Sequence, residues 1–238
     1  RLHRAADGGL LTAVLRSGAF ADRIVVHEAQ AVKMPAALPA EQSCLLACGF
    51  STGAGAALWT TPVQPGSAVA VIGCGGVGLS AVQGARLAGA AAIVAVDVLP
   101  EKLDLALELG ATHAVHAENA VADVKGLTDG GVDYAFSAVT SPAGLVDAVR
   151  MCAYGGVATL VGVPPPGRTL DVDLERDLFG PKVGIAVTHG GDTLPQEDFP
   201  FLAQAALDGR VDLQRFVTRT VGLEEVPAAL EELHRPTG

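Results

Sequence analysis

The feature that most restricts the fold of this chain is a series of short, unbroken apolar runs spaced by helix-forming stretches. Ala68-Val69-Ala70-Val71-Ile72 is the clearest run; Ile93–Val96, Ala114–His116, Val132–Ser137, Val157–Gly162 and Val183–Thr188 follow it. Between them, Gly78–Leu87, Pro100–Leu109, Val121–Leu127 and Ala143–Cys152 read as helices. A strand that is apolar at every position has no solvent face, so it belongs in a parallel sheet covered by helices on both sides. Pro100 suits the first turn of the second helix and Gly110 its C-terminal cap. The alternation predicts an α/β fold with a doubly wound parallel six-stranded sheet over residues 50–188.

The flanks lack this alternation. Residues 19–34 predict two short strands around a turn, 197–208 and 224–235 predict amphipathic helices, and Phe216–Val221 predicts a strand between those helices. Pro164-Pro165-Pro166-Gly167 reads as a loop after a strand.

Composition narrows the partners. With 50% hydrophobic and 18% charged residues among 238, the chain can bury a large core and is not disordered as a whole. Sixteen Lys and Arg stand against 26 Asp and Glu, a net charge of −10, with no basic cluster to meet a nucleic-acid backbone. Aromatics at 4% leave few platforms for stacking bases. No apolar run reaches the roughly 18 residues of a membrane span, and Arg1-Leu2-His3-Arg4 lacks the features of a signal peptide.

Four cysteines, at positions 44, 48, 74 and 152, are too few for a disulfide framework and fit reduced thiols in a cytoplasmic protein. On a helix, Cys44 and Cys48 would share one face. A zinc site needs three or four ligands, and no second pair stands nearby. His3, His27, His113, His116, His189 and His234 are scattered; His113 and His116, three apart in a strand, should diverge. His189 alone follows a strand near the expected cleft.

The sharpest local signal is Gly73-Cys74-Gly75-Gly76-Val77-Gly78, a G-x-G-x-x-G between an apolar strand and a helix. In that setting the first glycine permits a tight turn, the second lets the backbone approach a pyrophosphate, and the third lets strand and helix pack closely. The N–H groups and dipole of the helix start favour an anion. Asp97 ends the second strand about 20 residues on, where a carboxylate accepts ribose hydroxyls and repels a 2′-phosphate, so NAD is favoured over NADP. Lys102 is either a second ribose contact or a solvated helix lysine. Val161 and Val163, at the end of the fifth strand, either reach the nicotinamide crevice or pack in the core.

The chain resembles the zinc-containing alcohol dehydrogenases of the medium-chain dehydrogenase/reductase family. Cys44-Leu45-Leu46-Ala47-Cys48-Gly49-Phe50-Ser51-Thr52-Gly53 carries the likeness, with Pro65-Gly66-Ser67-Ala68 through Gly78, Val94-Ala95-Val96-Asp97, Leu109-Gly110-Ala111-Thr112-His113, Tyr154-Gly155-Gly156 and Val161-Gly162-Val163-Pro164. The resemblance implies an NAD- and zinc-dependent enzyme that oxidises an alcohol or reduces a carbonyl. It makes Cys48 a ligand of catalytic zinc, although a lone cysteine in that place reads as an apolar residue. Thr52 then lies beside the nicotinamide and Val77 lines its back face. Gly73, Gly75, Gly76 and Gly78 form the pyrophosphate turn, and Asp97 and Lys102 meet the ribose. Cys44, Cys74 and Cys152 stay core-side thiols.

The same resemblance divides the chain into 1–49, the end of a mostly β catalytic (GroES-like) domain; 50–188, the Rossmann domain; and 189–238, a return to the catalytic domain. The family's other zinc ligands, its structural-zinc lobe and its closing strand have no counterpart here. Both ends therefore read as cut, either in a fragment or in a degenerate homologue, and Arg1 favours the fragment. A zinc-independent quinone or enoyl reductase and a non-catalytic dinucleotide-binding module are the alternatives. The sixth strand would expose a sheet edge, and the resemblance implies a homodimer through Val183–Val187.

Overall fold

The computed structural model describes residues 2–3, 7–11, 18 and 20–233. His234 and the closing Arg235–Gly238 lie outside the described residues, as does Ala19. The chain forms two compact units, one of residues 34–216 and a smaller one of residues 1–33 with 217–238.

The larger unit is built on six parallel strands: β1 (Ala68–Ile72), β2 (Ala92–Asp97), β3 (His113–His116), β4 (Val132–Ser137), β5 (Cys152–Leu160) and β6 (Gly184–Val187). Their spatial order is β3-β2-β1-β4-β5-β6, the doubly wound arrangement in which the strand order reverses between β1 and β4. In the register of the sheet, Ile72 stands beside Val96 on one side and Ser137 on the other. Strands β1 and β2 are buried along almost their whole length, as their unbroken apolar sequence requires.

Helices return the chain after each strand. They are α1 (Gly49–Gly55), which precedes the sheet, α2 (Gly76–Ala88), α3 (Pro100–Glu108), α4 (Ala120–Leu127), α5 (Pro142–Met151) and α6 (Pro195–Leu207). Pro100 opens α3, and Gly110 follows its cap Leu109 with φ +117°, a conformation glycine adopts without a Cβ penalty. One face of the sheet packs Val69, Val71, Ile93 and Phe136 against α2 and α3; the other packs Ala70, Val94, Val115 and Ala135 against α4 and α5. A third cluster joins Leu46, Phe50 and Ala54 to Leu202, Val211 and Leu213. Each fully buried large side chain in these clusters contributes about 2 kcal/mol.

Beyond β5 the chain makes a π-helical turn, Leu174–Phe179, before entering β6. Asp177, its side chain only 4% exposed, latches this turn to α5. It accepts from Arg176 Nε at 2.9 Å, from the Asp173 N–H at 3.0 Å and from Arg150 Nη2 at 3.3 Å. Hydrogen bonding from Arg176, the Asp173 amide and Arg150 holds its carboxyl below the usual carboxylate range.

Three expected strands do not form among the described residues. Residues 20–34 hold a single 3-10 turn, Glu28–Gln30, capped by His27, and Val25 is 96% exposed. An apolar run becomes a strand only where a partner completes its ladder, and none is present among the described residues. Phe216 closes another 3-10 turn, Gln214–Phe216, with its ring set edge-on to Phe50 at 5.7 Å, and residues 217–222 follow without regular structure. The smaller unit pairs Leu2–His3 antiparallel with Leu10–Leu11 and carries α7 (Val226–Leu233). No helix among the described residues is long and apolar enough to cross a membrane.

Candidate functional site

The turn after β1 sits at the reversal point of the sheet. Gly73 takes φ +89°, and the Gly73 N–H donates to the Val96 carbonyl at 2.8 Å. A Cβ on Gly78 would lie 1.7 Å from the Gly73 carbonyl oxygen, so only glycine lets α2 start this close to β1. Nothing stands within 4 Å of where a Cβ would sit on Gly75 or Gly76. The turn is therefore bare on its outer side, and the first N–H groups of the thirteen-residue α2 lack intrahelical partners. That geometry fits a pyrophosphate.

Asp97 closes the turn from β2. Oδ2 accepts the Cys74 N–H at 2.6 Å, while Oδ1 accepts those of Val98 at 2.8 Å and Leu99 at 3.0 Å. A carboxylate has about four acceptor sites, so about one is left for a ligand hydroxyl. Lys102 is half-buried on α3, and its charge, like that of Asp97, acts on the Cys74 thiol. Burial first, and then Asp97, push that thiol up to about 12; burial does the same for Cys152. Both stay protonated thiols, as buried cysteines without chemistry should.

A second feature adjoins the turn. A cleft of 480 Å³ opens at the C-terminal ends of β4, β5 and β6. Val77 lines it from the glycine turn, Cys48 and Thr52 from the start of α1, and Ala138 and Thr140 from beyond β4. Leu160 to Pro164 and Val187 to Gly190 complete its walls. Val77 belongs to both features, so turn and cleft form one continuous edge. Val161 is buried in the core and also lines the cleft; Val163, 80% exposed, serves the cleft alone.

Cys48 breaks the helix that its spacing from Cys44 invites. Cys44 belongs to a 3-10 turn, Cys44–Ala47, and Cys48, at φ −150° and ψ −67°, separates that turn from α1. Both thiols are exposed, which corrects the core-side placement of Cys44. The Cys48 carbonyl accepts the Thr52 N–H at 2.9 Å and the Ser51 hydroxyl at 3.2 Å, fixing the start of α1. Among the described residues no group of three or more His, Cys, Asp or Glu side chains is placed to hold a metal ion. Cys48 alone supplies one of the three or four protein ligands that a zinc ion takes. His27 and His116 accept backbone N–H groups locally, His113 pairs with Thr112 at 2.8 Å, and His189 lies on the cleft wall. Ala138, Thr140, Val187 and Gly190 are cleft residues that carry no motif, and nothing in the sequence marks them.

Residues 76–207 match the model of the zinc-binding dehydrogenases. The chain belongs to that family. It is 34% identical over 233 residues to alcohol dehydrogenase-like 7 of Arabidopsis thaliana, covering 95% of this chain and 60% of the relative. Among solved structures, an alcohol dehydrogenase zinc-binding domain protein from Burkholderia ambifaria superposes with a TM-score of 0.83 at 38% identity, over 86% of this chain and 55% of that one. Benzyl alcohol dehydrogenase from Acinetobacter calcoaceticus superposes at 0.82 with 32% identity, over 87% and 57%. The chain thus spans a little over half the length of the family members it matches, and the match covers the glycine-opened helix α2, the cleft strands and α6.

Proposed function

We propose that this chain is the cofactor-binding part of an alcohol dehydrogenase that transfers hydride between an alcohol or carbonyl compound and NAD. The observation that carries the reading is the continuity of the bare glycine turn, the Asp97 carboxylate and the apolar cleft along one sheet edge. A dinucleotide laid there has its pyrophosphate on Gly73, Gly75, Gly76 and Gly78, a ribose at Asp97 and Lys102, and its nicotinamide among Val77, Val161 and Val163. When bound, the nicotinamide supplies hydride acceptance. The chain's own part is to fix the ring in an apolar wall that excludes water and to leave one face toward Cys48 and Thr52.

Zinc dependence is the further part of the reading. Cys48 would give one thiolate at the cleft, with the remaining ligands coming from beyond the described residues. The family description, zinc-binding dehydrogenase, and the name of the Burkholderia ambifaria zinc-binding domain protein support this reading. The edge strand supports a homodimer: Ile185 and Val187 are exposed on β6, and an open groove of 870 Å³ beside it is lined by Tyr154, Leu174 and Phe179. Four free thiols, two of them exposed, fit a cytoplasmic location.

The test is a titration of the chain with NADH and NADPH, followed by nicotinamide fluorescence. Saturable NADH binding, with NADPH at least about tenfold weaker because of the Asp97 carboxylate, is expected. Equal or tighter NADPH binding would overturn the NAD assignment, and no binding of either would leave the fold without this function.

A further inference from the structure

The cleft wall beyond β6 is held by a polar knot that the glycine turn does not explain. Gly190, Gly191 and Asp192 follow one another with φ of +60°, +73° and +50°. Three left-handed residues in succession persist only where the surroundings fix them, and such corners gather at functional sites. Two sets of contacts fix this one. Gly191 lies so close to α1 that a Cβ would meet the Ser51 carbonyl oxygen at 2.2 Å, and a Cβ on Gly55 would meet the Gly191 carbonyl oxygen at 2.5 Å.

The second set is polar. Ala56–Thr60 forms a π-helical turn directly after α1, a local widening common near functional sites. Its last residue, Thr60, donates to Asp192 Oδ2 at 2.6 Å. Thr60 has one proton, already given to the carboxylate, so in the 2.7 Å contact between the two hydroxyls Thr188 is the donor. Thr188 also reaches Asp192 Oδ2 at 3.5 Å. Neither Thr60 nor Asp192 lines the cleft, whereas Thr188, His189 and Gly190 do.

We propose that Thr60 and Asp192 are positioning residues, pinning the His189–Asp192 corner so that Thr188, His189 and Gly190 form a fixed wall at the nicotinamide end of the cleft. The proposal rests on the nicotinamide reading above. Thr60→Val and Asp192→Ala remove the bond; Asp192→Asn keeps an acceptor oxygen and tolerates the left-handed backbone. Each variant of the full 238-residue chain is titrated with NADH and with ADP-ribose, the same dinucleotide without its nicotinamide.

Thr60→Val and Asp192→Ala are expected to weaken NADH by about tenfold, ADP-ribose by no more than about twofold, and Asp192→Asn is expected to bind like the parent. Unchanged NADH affinity overturns the proposal, and so does an equal loss for both ligands, which would make the knot a general stability contact. If the parent binds neither ligand, the cofactor reading fails first, and the cleft assignment fails with it. Amide exchange then decides the pinning alone: faster exchange over residues 188–192 in Thr60→Val upholds it, and equal protection removes it.

Discussion

The two halves of the sheet hold their exposed edges by different means. On the β1–β3 side, the turn from Gly73 to Gly78 is shaped by local backbone and one nearby carboxylate: a positive φ at Gly73, a carbonyl touching Gly78, and the Cys74 N–H held by Asp97. On the β4–β6 side, the cleft is shaped by side chains brought from far apart. Thr60 meets Thr188 across 128 residues of sequence, and Thr61 meets Thr159 in a buried pair; away from the cleft, Asp177 latches the turn before β6 to α5. A phosphate needs donors in a fixed curve, which a short local motif supplies. A flat ring needs walls, and apart from Val77 those come from packing elements that the motif does not include.

The largest expected effect breaks the backbone-built side. Gly78→Ala drives a methyl into the Gly73 carbonyl and should cost about 3 kcal/mol of stability, read as a shift in the urea midpoint. Gly75→Ala sharpens the contrast. Its site is open and its φ is −73°, so stability should stay within about 0.5 kcal/mol while NADH binding weakens. A destabilised Gly75→Ala protein would show that the turn is closed by protein, not left open for a ligand.

On the other side, Asp177→Asn should destabilise the chain at neutral pH. The Asp177 carboxyl is lowered in the folded state, so its contribution is complete above the unfolded value of about 3.9 and fades as pH falls below it. The gap in urea midpoint between parent and variant should therefore narrow from pH 7 toward pH 3; a constant gap would mean that the charge is not what holds the latch. The smallest effect belongs to Cys48→Ser. Cys48 is exposed and packs in no core cluster, so thermal stability should change by no more than about 0.5 kcal/mol. A larger loss would make Cys48 a structural residue.

The same contrast explains what the sequence revealed. The requirements of the glycine turn fall within two successive strands, one turn and one helix start, so Gly73, Gly78 and Asp97 were legible from spacing. The six strands were legible because burial on both faces leaves an unbroken apolar run. Residues 20–34 and 217–221 misled because apolar β-branched residues there have no partner strand to pair with. Cys44 misled because a small apolar side chain in a helix-like stretch says nothing about which face it takes. The knot of Thr60, Thr188 and Asp192 was invisible: a threonine before a proline turn and a threonine and aspartate flanking Gly190-Gly191 are ordinary, and only the fold brings them together.

Turn and cleft share Val77 along one edge of the sheet, and one dinucleotide is proposed to occupy both. Hydrogen exchange of the chain with and without saturating NADH tests it most directly. New protection is expected at residues 73–78 and, in the same experiment, at residues 161–163 and 187–190. Protection confined to the glycine turn, with the cleft amides unchanged, would contradict it.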